Sequence, residues 1–252
     1  MIEKKYRLKR TKIVATIGPN SLSKKIIKNL ILAGLNVCRI NFSHSNHEDA
    51  LKIVNIVAEL NLELNTHVAI MGDLQGPKLR IGLVENNSFL KKNDTIIIQH
   101  GHHKSNNKQL FVNYETISDD VNCGDKILLD DGKIVLKVIH KKNYTIECCV
   151  VQGGELKEKK GLNLPNTKIS IPTISNKDKI DLDFCIKNKI EWIALSFVRS
   201  EKDILDLKEI LKNRNSQSKI IAKIEKPEAI KNLNNIIKHA DALMVARGDL
   251  GV

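Results

Sequence analysis

Six short apolar segments alternate with amphipathic stretches along this chain, and that alternation limits the fold more than any other feature. The segments are Lys12–Ile17, Val37–Ile40, Val68–Met71, Trp192–Leu195, Lys219–Ile224 and Ala242–Ala246. Between them, Lys24–Leu32, His47–Leu60 and Lys202–Leu211 repeat apolar residues three and four apart, the period of a helix with one buried face. Ser21 or Ser23 can cap the first of these helices, and Gly34 can close it. Strand–helix alternation of this kind makes a parallel sheet with helical crossovers.

The alternation breaks once, from Pro77 to Ile171. There Thr95–Gln99, Lys126–Leu129, Ile134–Ile139 and Thr145–Val150 read as short strands between Gly, Asn and Asp turns. Asp131-Gly132 between two of them is a hairpin signal. The helical pattern resumes at Ile174–Ile186. The expected organisation is therefore three-part: residues 1–76 begin a parallel barrel, 77–171 form an inserted small all-β domain, and 172–252 continue the first barrel. The expected fold class is α/β, a partial (β/α)8 barrel of about six strands. What lies outside the insert is well short of the roughly 250 residues that a closed barrel takes. The chain also stops at Val252, straight after a strand and its loop. The expectation is a fragment with exposed sheet edges, poorly soluble or inactive alone.

Composition narrows the class further. Apolar residues make up 42% and aromatics 4%, so Ile, Leu and Val must fill the core. A formal charge of +12 raises nucleic acid as a partner. Lys and Arg are nevertheless spread evenly, with few aromatics for base stacking and no recognition motif, so a solvated basic surface is expected instead. Five cysteines with no CxxC pair fit reduced thiols of a cytoplasmic protein. The basic start MIEKKYRLKR lacks the apolar run of a secretory signal, and no run approaches a membrane span.

In a parallel barrel the reactive groups gather where the strands end. Within KIIAKIEKP, Lys223 and Glu225 sit two apart and share a face. Burying two charges is costly unless they are paired or used; for this pair alone, a structural ion pair and a working site are equal readings. The other strand ends add Arg39, Asn41 and Ser43, then Asp73, Lys78 and Arg80, then Ser196 and Arg199, then Arg247 and Asp249. Glu225 and Asp249 are hard oxygen donors of the kind Mg²⁺ takes. Arg39 offers a planar fork for phosphate, with the Lys223 ammonium beside it. Gly248-Asp249-Leu250-Gly251 reads as a helix start able to hold a carboxylate. Together they imply an anionic substrate bearing phosphate and carboxylate, with no P-loop and no protein-kinase signature in the chain.

The runs KIVATIGP, RINFSHS, GDLQGPKLR, GLNLPNT, LSFVR, IIAKIEKPEAI and VARGDLGV, in this order, resemble the pyruvate kinase family over essentially the whole chain. The resemblance implies phosphoryl transfer from phosphoenolpyruvate to ADP, giving pyruvate and ATP, in a cytoplasmic enzyme that is tetrameric at full length. It implies that Arg39 binds phosphate and Lys223 stabilises the moving phosphoryl group. Glu225 and Asp249 would hold Mg²⁺ or Mn²⁺, and the Gly248 and Asp249 amides would lie near the substrate carboxylate. Asn41, His44, Arg80 and Lys160 would contact nucleotide, and Asn41, Ser43, Asp73 and Leu74 would surround a monovalent cation, K⁺ in the family. The resemblance further implies that the 77–171 insert is a small β-barrel lid. Three positions depart from the family pattern, the first being Ser45 where Gly is usual. Leu74 stands where many relatives have Thr, and Lys78 where they have Glu, so a tethered ammonium is expected to replace K⁺. Two other readings stay open: a Mg²⁺-dependent lyase of pyruvate or phosphoenolpyruvate, and a non-catalytic remnant binding metabolite or nucleic acid.

Overall fold

The computed structural model describes residues 10–250 apart from 87, 166 and 168. The basic residues 1–9 and Gly251, the last residue of the expected helix start, lie outside the described residues. The chain opens with β1 (Val14–Thr16), α1 (Lys24–Ala33), β2 (Val37–Asn41), α2 (His47–Leu64) and β3 (Ala69–Asp73). Of the two candidate caps, Ser23 is the one used: its side chain accepts from Ile26 N–H at 3.3 Å. Ser21 instead belongs to a short 3₁₀ turn, and Gly34 ends α1 at φ 108°, where a side chain would be strained. Asn46 caps α2 by accepting from Asp49 N–H at 2.8 Å. The buried residues of α2, Ala50, Ile53, Val57 and Leu60, keep the three-and-four spacing read from the sequence.

The insert is all-β apart from one short helix. It contains β4 (Phe89–Leu90), β5 (Thr95–His100), β6 (Gln109–Val112), α3 (Ile117–Asp120), β7 (Lys126–Leu129), β8 (Ile134–Lys142), β9 (Thr145–Gln152), β10 (Gly154–Glu155) and β11 (Leu162–Asn163). Six of these strands form one sheet in the order β11-β7-β8-β9-β5-β6. The hairpin expected at Asp131-Gly132 joins β7 to β8, with Asp130, Asp131 and Gly132 all at positive φ. The sequence reading had not singled out β4, β6, β10, β11 or α3. Two-residue strands carry no measurable period, and Leu110, Phe111 and Val112 of β6 are buried in succession, which erases the alternation. β5 and β6 pair parallel, the one parallel ladder described in this sheet.

Beyond the insert come α4 (Asn176–Lys187), β12 (Trp192–Leu195), α5 (Glu201–Asn213), β13 (Lys219–Ile224), α6 (Pro227–Lys231), α7 (Leu233–His239), β14 (Ala242–Val245) and α8 (Arg247–Leu250). A second six-stranded sheet has the order β1-β2-β3-β12-β13-β14. β1–β2, β2–β3, β3–β12 and β12–β13 pair parallel, and the order follows the chain once the insert is set aside. This is the strand order of a partial (β/α)8 barrel. Among the described residues, no helix is long and apolar enough to cross a membrane.

By their contacts the residues divide into two compact units. One takes the chain up to Gly76 with Thr173–Ile224 and Asn232–Met244; the other takes Pro77–Pro172, Glu225–Lys231 and the chain from Val245 on. The second has its own core, including Leu90, Ile96, Ile98, Leu136, Ile146 and Val150. Inside the first, Met71, Ala194 and Ile221 are buried together, with Val37, Trp192, Ala242 and Met244 packed on them.

Candidate active site

Register decides which side chains meet. Thr16 is opposite Arg39; Asn41, Asp73 and Ala194 are in line across three strands; and Ala194 is opposite Ile221. Paired residues share a face and residues two apart return to it. Thr16, Arg39, Asn41, Asp73, Ser196 and Lys223 therefore fall on the same side as the buried Met71, Ala194 and Ile221. Apolar side chains fill that face along the strands, and polar ones take over at the carboxyl ends.

Asp73 is the centre of this polar layer. Its side chain is only 1% exposed, and a buried carboxylate must be compensated by opposite charge. Arg39 Nε donates to Asp73 Oδ2 at 2.7 Å, and Arg39 Nη1 donates to Thr16 Oγ1 at 2.7 Å. On the other side, Lys223 Nζ lies 3.2 Å from Asp73 Oδ1. That approach is off the line a hydrogen bond needs, so Oδ1 is buried beside a cation with no directed donor. Lys223 Nζ does donate to Ser196 Oγ at 2.7 Å, and Ser196 Oγ donates to the Leu74 carbonyl at 2.6 Å. Three strand ends thus bring two cations onto one buried carboxylate. The Arg39 side chain as a whole is 25% exposed.

The loop after β2 carries Asn41, Ser43 and His44. The strand ends at Asn41, so Ser43 does not continue its alternation; the chain turns instead, with His44 N–H donating to Asn41 C=O at 3.0 Å. Asn41 Oδ1 accepts from Ser43 N–H at 3.1 Å, and His44 is exposed. Leu74 buries its side chain, 1% exposed, and presents only backbone polar groups. Arg199 Nη2 donates to Thr173 Oγ1 at 2.9 Å and lies 3.4 Å from Asp203 Oδ1.

The remaining candidates belong to the second unit. Glu225 follows β13 and is 2% exposed, whereas Gly248 and Asp249 are exposed on the four-residue α8. Among the described residues, no three His, Cys, Asp or Glu side chains gather as a metal site. Glu225 and Asp249 match Mg²⁺ in donor chemistry, as hard oxygens. Arg80 pairs with Gly161 as an isolated bridge, and its Nη1 donates to the Lys159 carbonyl at 3.1 Å. Lys160 Nζ lies 3.0 Å from Asp130 Oδ1. Hydrogen bonds from Lys133 and then Lys160 hold the Asp130 carboxyl below its usual range. Lys78 is half-buried, and its carbonyl accepts from Asn113 Nδ2 at 3.0 Å.

Two members of the polar layer carry no assigned role in the sequence: Thr16, inside the run KIVATIGP, and Ser196, among the strand-end residues. Counting two residues on from the apolar Ala194 finds Ser196, and the strand register finds Thr16.

Comparison with known proteins agrees with this architecture. The family model described as "Pyruvate kinase, barrel domain" matches residues 8–252. A pyruvate kinase of Staphylococcus epidermidis is 39% identical over 248 residues, covering 97% of this chain and 42% of that protein. A pyruvate kinase of Buchnera aphidicola is 41% identical over 252 residues, covering 98% of this chain and 52% of that protein. The crystal structure of a pyruvate kinase from Cryptosporidium parvum superposes with a TM-score of 0.91 at 33% identity, covering 96% of this chain and 51% of that one. The chain thus spans about half the length of the relatives it matches. With family model, relatives and solved structure in agreement, the chain belongs to the pyruvate kinase family.

Proposed function

We propose that this chain takes part in phosphoryl transfer between phosphoenolpyruvate and ADP, giving pyruvate and ATP. The observation that carries the reading is the buried Asp73 with Arg39 and Lys223 on either side, at the carboxyl ends of parallel strands. Asp73 keeps both cations oriented without neutralising their outward faces. Arg39 then holds substrate phosphate through its fork, and Lys223 meets the charge on the transferring group. Catalysis of this kind is positional and electrostatic, with little covalent work for the side chains. Glu225 and Asp249 would hold Mg²⁺, which when bound supplies charge neutralisation at the phosphoryl oxygens. Asn41, His44, Arg80 and Lys160 are the proposed nucleotide contacts. Asp130 supports the last of them through the 3.0 Å ion pair.

The test is phosphoenolpyruvate binding by the purified chain, and turnover with phosphoenolpyruvate, ADP and Mg²⁺ by a full-length enzyme carrying this sequence, read by coupling pyruvate formation to lactate dehydrogenase. Lys223→Gln and Arg39→Gln are each expected to lower kcat/KM by roughly 100-fold or more. Turnover indifferent to both substitutions, or a wild-type chain that neither turns over nor binds phosphoenolpyruvate, overturns the reading.

Asn41, Ser43, Asp73 and Leu74 are the proposed surroundings of the monovalent-cation position, and Lys78 is proposed to supply its charge. Leu74 offers no hydroxyl there, and its carbonyl already accepts from Ser196. An added unit charge is not neutral in such a place: two charges about 4 Å apart interact by roughly 4 kcal/mol at an effective dielectric near 20. The expected outcome is full activity in K⁺-free buffer. Activity that falls to background without K⁺ and returns with KCl sinks the Lys78 proposal.

A further inference from the structure

Lys223 is the most mobile kind of charge to place in a site, a point cation on a four-carbon stem with three rotating donors. Its Nζ lies nearer to Ser196 Oγ, at 2.7 Å, than to the Asp73 carboxylate, at 3.2 Å. Ser196 is 2% exposed and has one hydroxyl proton to give. That proton goes to the Leu74 carbonyl at 2.6 Å, which leaves the oxygen's lone pairs to accept from the ammonium. The direction of the hydrogen bond is therefore fixed by the backbone of β3's exit.

The place of the hydroxyl is fixed as well. Leu74 N–H donates to the Ala194 carbonyl at 3.0 Å, so the Leu74 peptide is tied to β12 without help from any side chain. Phe197, next after Ser196, takes the left-handed conformation at φ 55°. Gly76, at φ 70°, lets the two segments close up: a Cβ there would come within 2.7 Å of Phe197 Cδ2 and 3.0 Å of Ser196 Cβ. Strand pairing already has its backbone bond, and an alanine would occupy nearly the same volume as Ser196. Besides serving the Leu74 carbonyl, the hydroxyl adds an aimed acceptor for Lys223.

We propose that Ser196 is a positioning residue, whose hydroxyl sets the Lys223 ammonium beside Asp73 for its role on the transferring group. The geometry stands by itself; the consequence for catalysis rests on the phosphoryl-transfer reading. The experiment uses the whole chain labelled with ¹⁵N-lysine, with the Lys223 ammonium signal assigned by its loss in Lys223→Arg. In the wild type that signal is expected to exchange with water slowly enough to be seen apart from the exposed lysines. Ser196→Ala is expected to speed the exchange at least about tenfold, and Ser196→Thr, which keeps the hydroxyl, to preserve the signal. In turnover with phosphoenolpyruvate and ADP, Ser196→Ala is expected to lower kcat roughly 10- to 100-fold with KM little changed. A wild-type signal exchanging like an exposed lysine overturns the proposal without any variant. So does an unchanged signal in folded Ser196→Ala, or, should that variant not fold, loss of the signal in folded Ser196→Thr. If the wild type shows the protected ammonium but neither turns over nor binds phosphoenolpyruvate, the assigned reaction fails and the positioning stands.

Discussion

Asp73 shows what a buried carboxylate costs and what it organises. With 1% of its side chain exposed, it is tolerable only because Arg39 and Lys223 approach from two sides. Removing it leaves two cations facing each other in a dry place. Asp73→Ala is expected to lower stability by about 3–5 kcal/mol, measured by urea unfolding, with Asp73→Asn less damaging because volume and one acceptor remain. An unchanged unfolding midpoint in the alanine variant would show that the two cations are compensated by something else. Asp130 makes the opposite case, a carboxylate near the surface whose partners shift its titration. Lys133 and Lys160 hold its folded pKa below the unfolded value. A depressed carboxylate pKa contributes stability above the unfolded value, near 3.9, and loses it as pH falls through the folded one. The difference in unfolding free energy between wild type and Asp130→Asn is therefore expected to be constant from pH 7 to about 5 and to shrink below about 4. A difference that grew on acidification would contradict the pairing.

The elements of the parallel sheet could be read almost directly from the sequence, because a strand buried on both faces leaves a dense apolar run. Trp192–Leu195 and Lys219–Ile224 have the same limits by either route. The insert was harder for a physical reason: its minor strands are two residues long or buried throughout, so neither length nor alternation marks them. Of the site, residues on motifs were visible early. Arg39, Asp73, Ser196 and Lys223 meet as their common strand-end position suggests, whereas Thr16 needed the register. Gly76 belongs to this scale too, since its missing side chain lets the exit of β3 lie against Ser196 and Phe197. Gly76→Ala combines a left-handed φ with a 2.7 Å clash on Phe197. It is expected to cost about 2–4 kcal/mol by thermal or urea unfolding. A cost under about 1 kcal/mol would mean that the Phe197 ring gives way easily.

Among the described residues, the parallel sheet and the insert are built differently inside. In the parallel sheet, apolar residues lie beneath a charged layer at the strands' carboxyl ends. In the insert, buried apolar residues from Leu79 to Leu164 form one cluster, which carries its own β-sheet. A core that is complete within one unit should respond to damage within that unit. Leu136, with no exposed surface, lies on β8 at the middle of the antiparallel sheet, paired with Ile127 and Val150. Leu136→Ala removes three buried carbons and is expected to cost about 2–5 kcal/mol locally. Amide hydrogen exchange read by mass spectrometry tests where that cost falls. Peptides within 79–164 are expected to exchange faster, while those covering β2, β3, β12 and β13 keep their wild-type rates. Equal acceleration in both sets would mean that the molecule opens as one cooperative body, and that the insert's core is not an independent source of its stability.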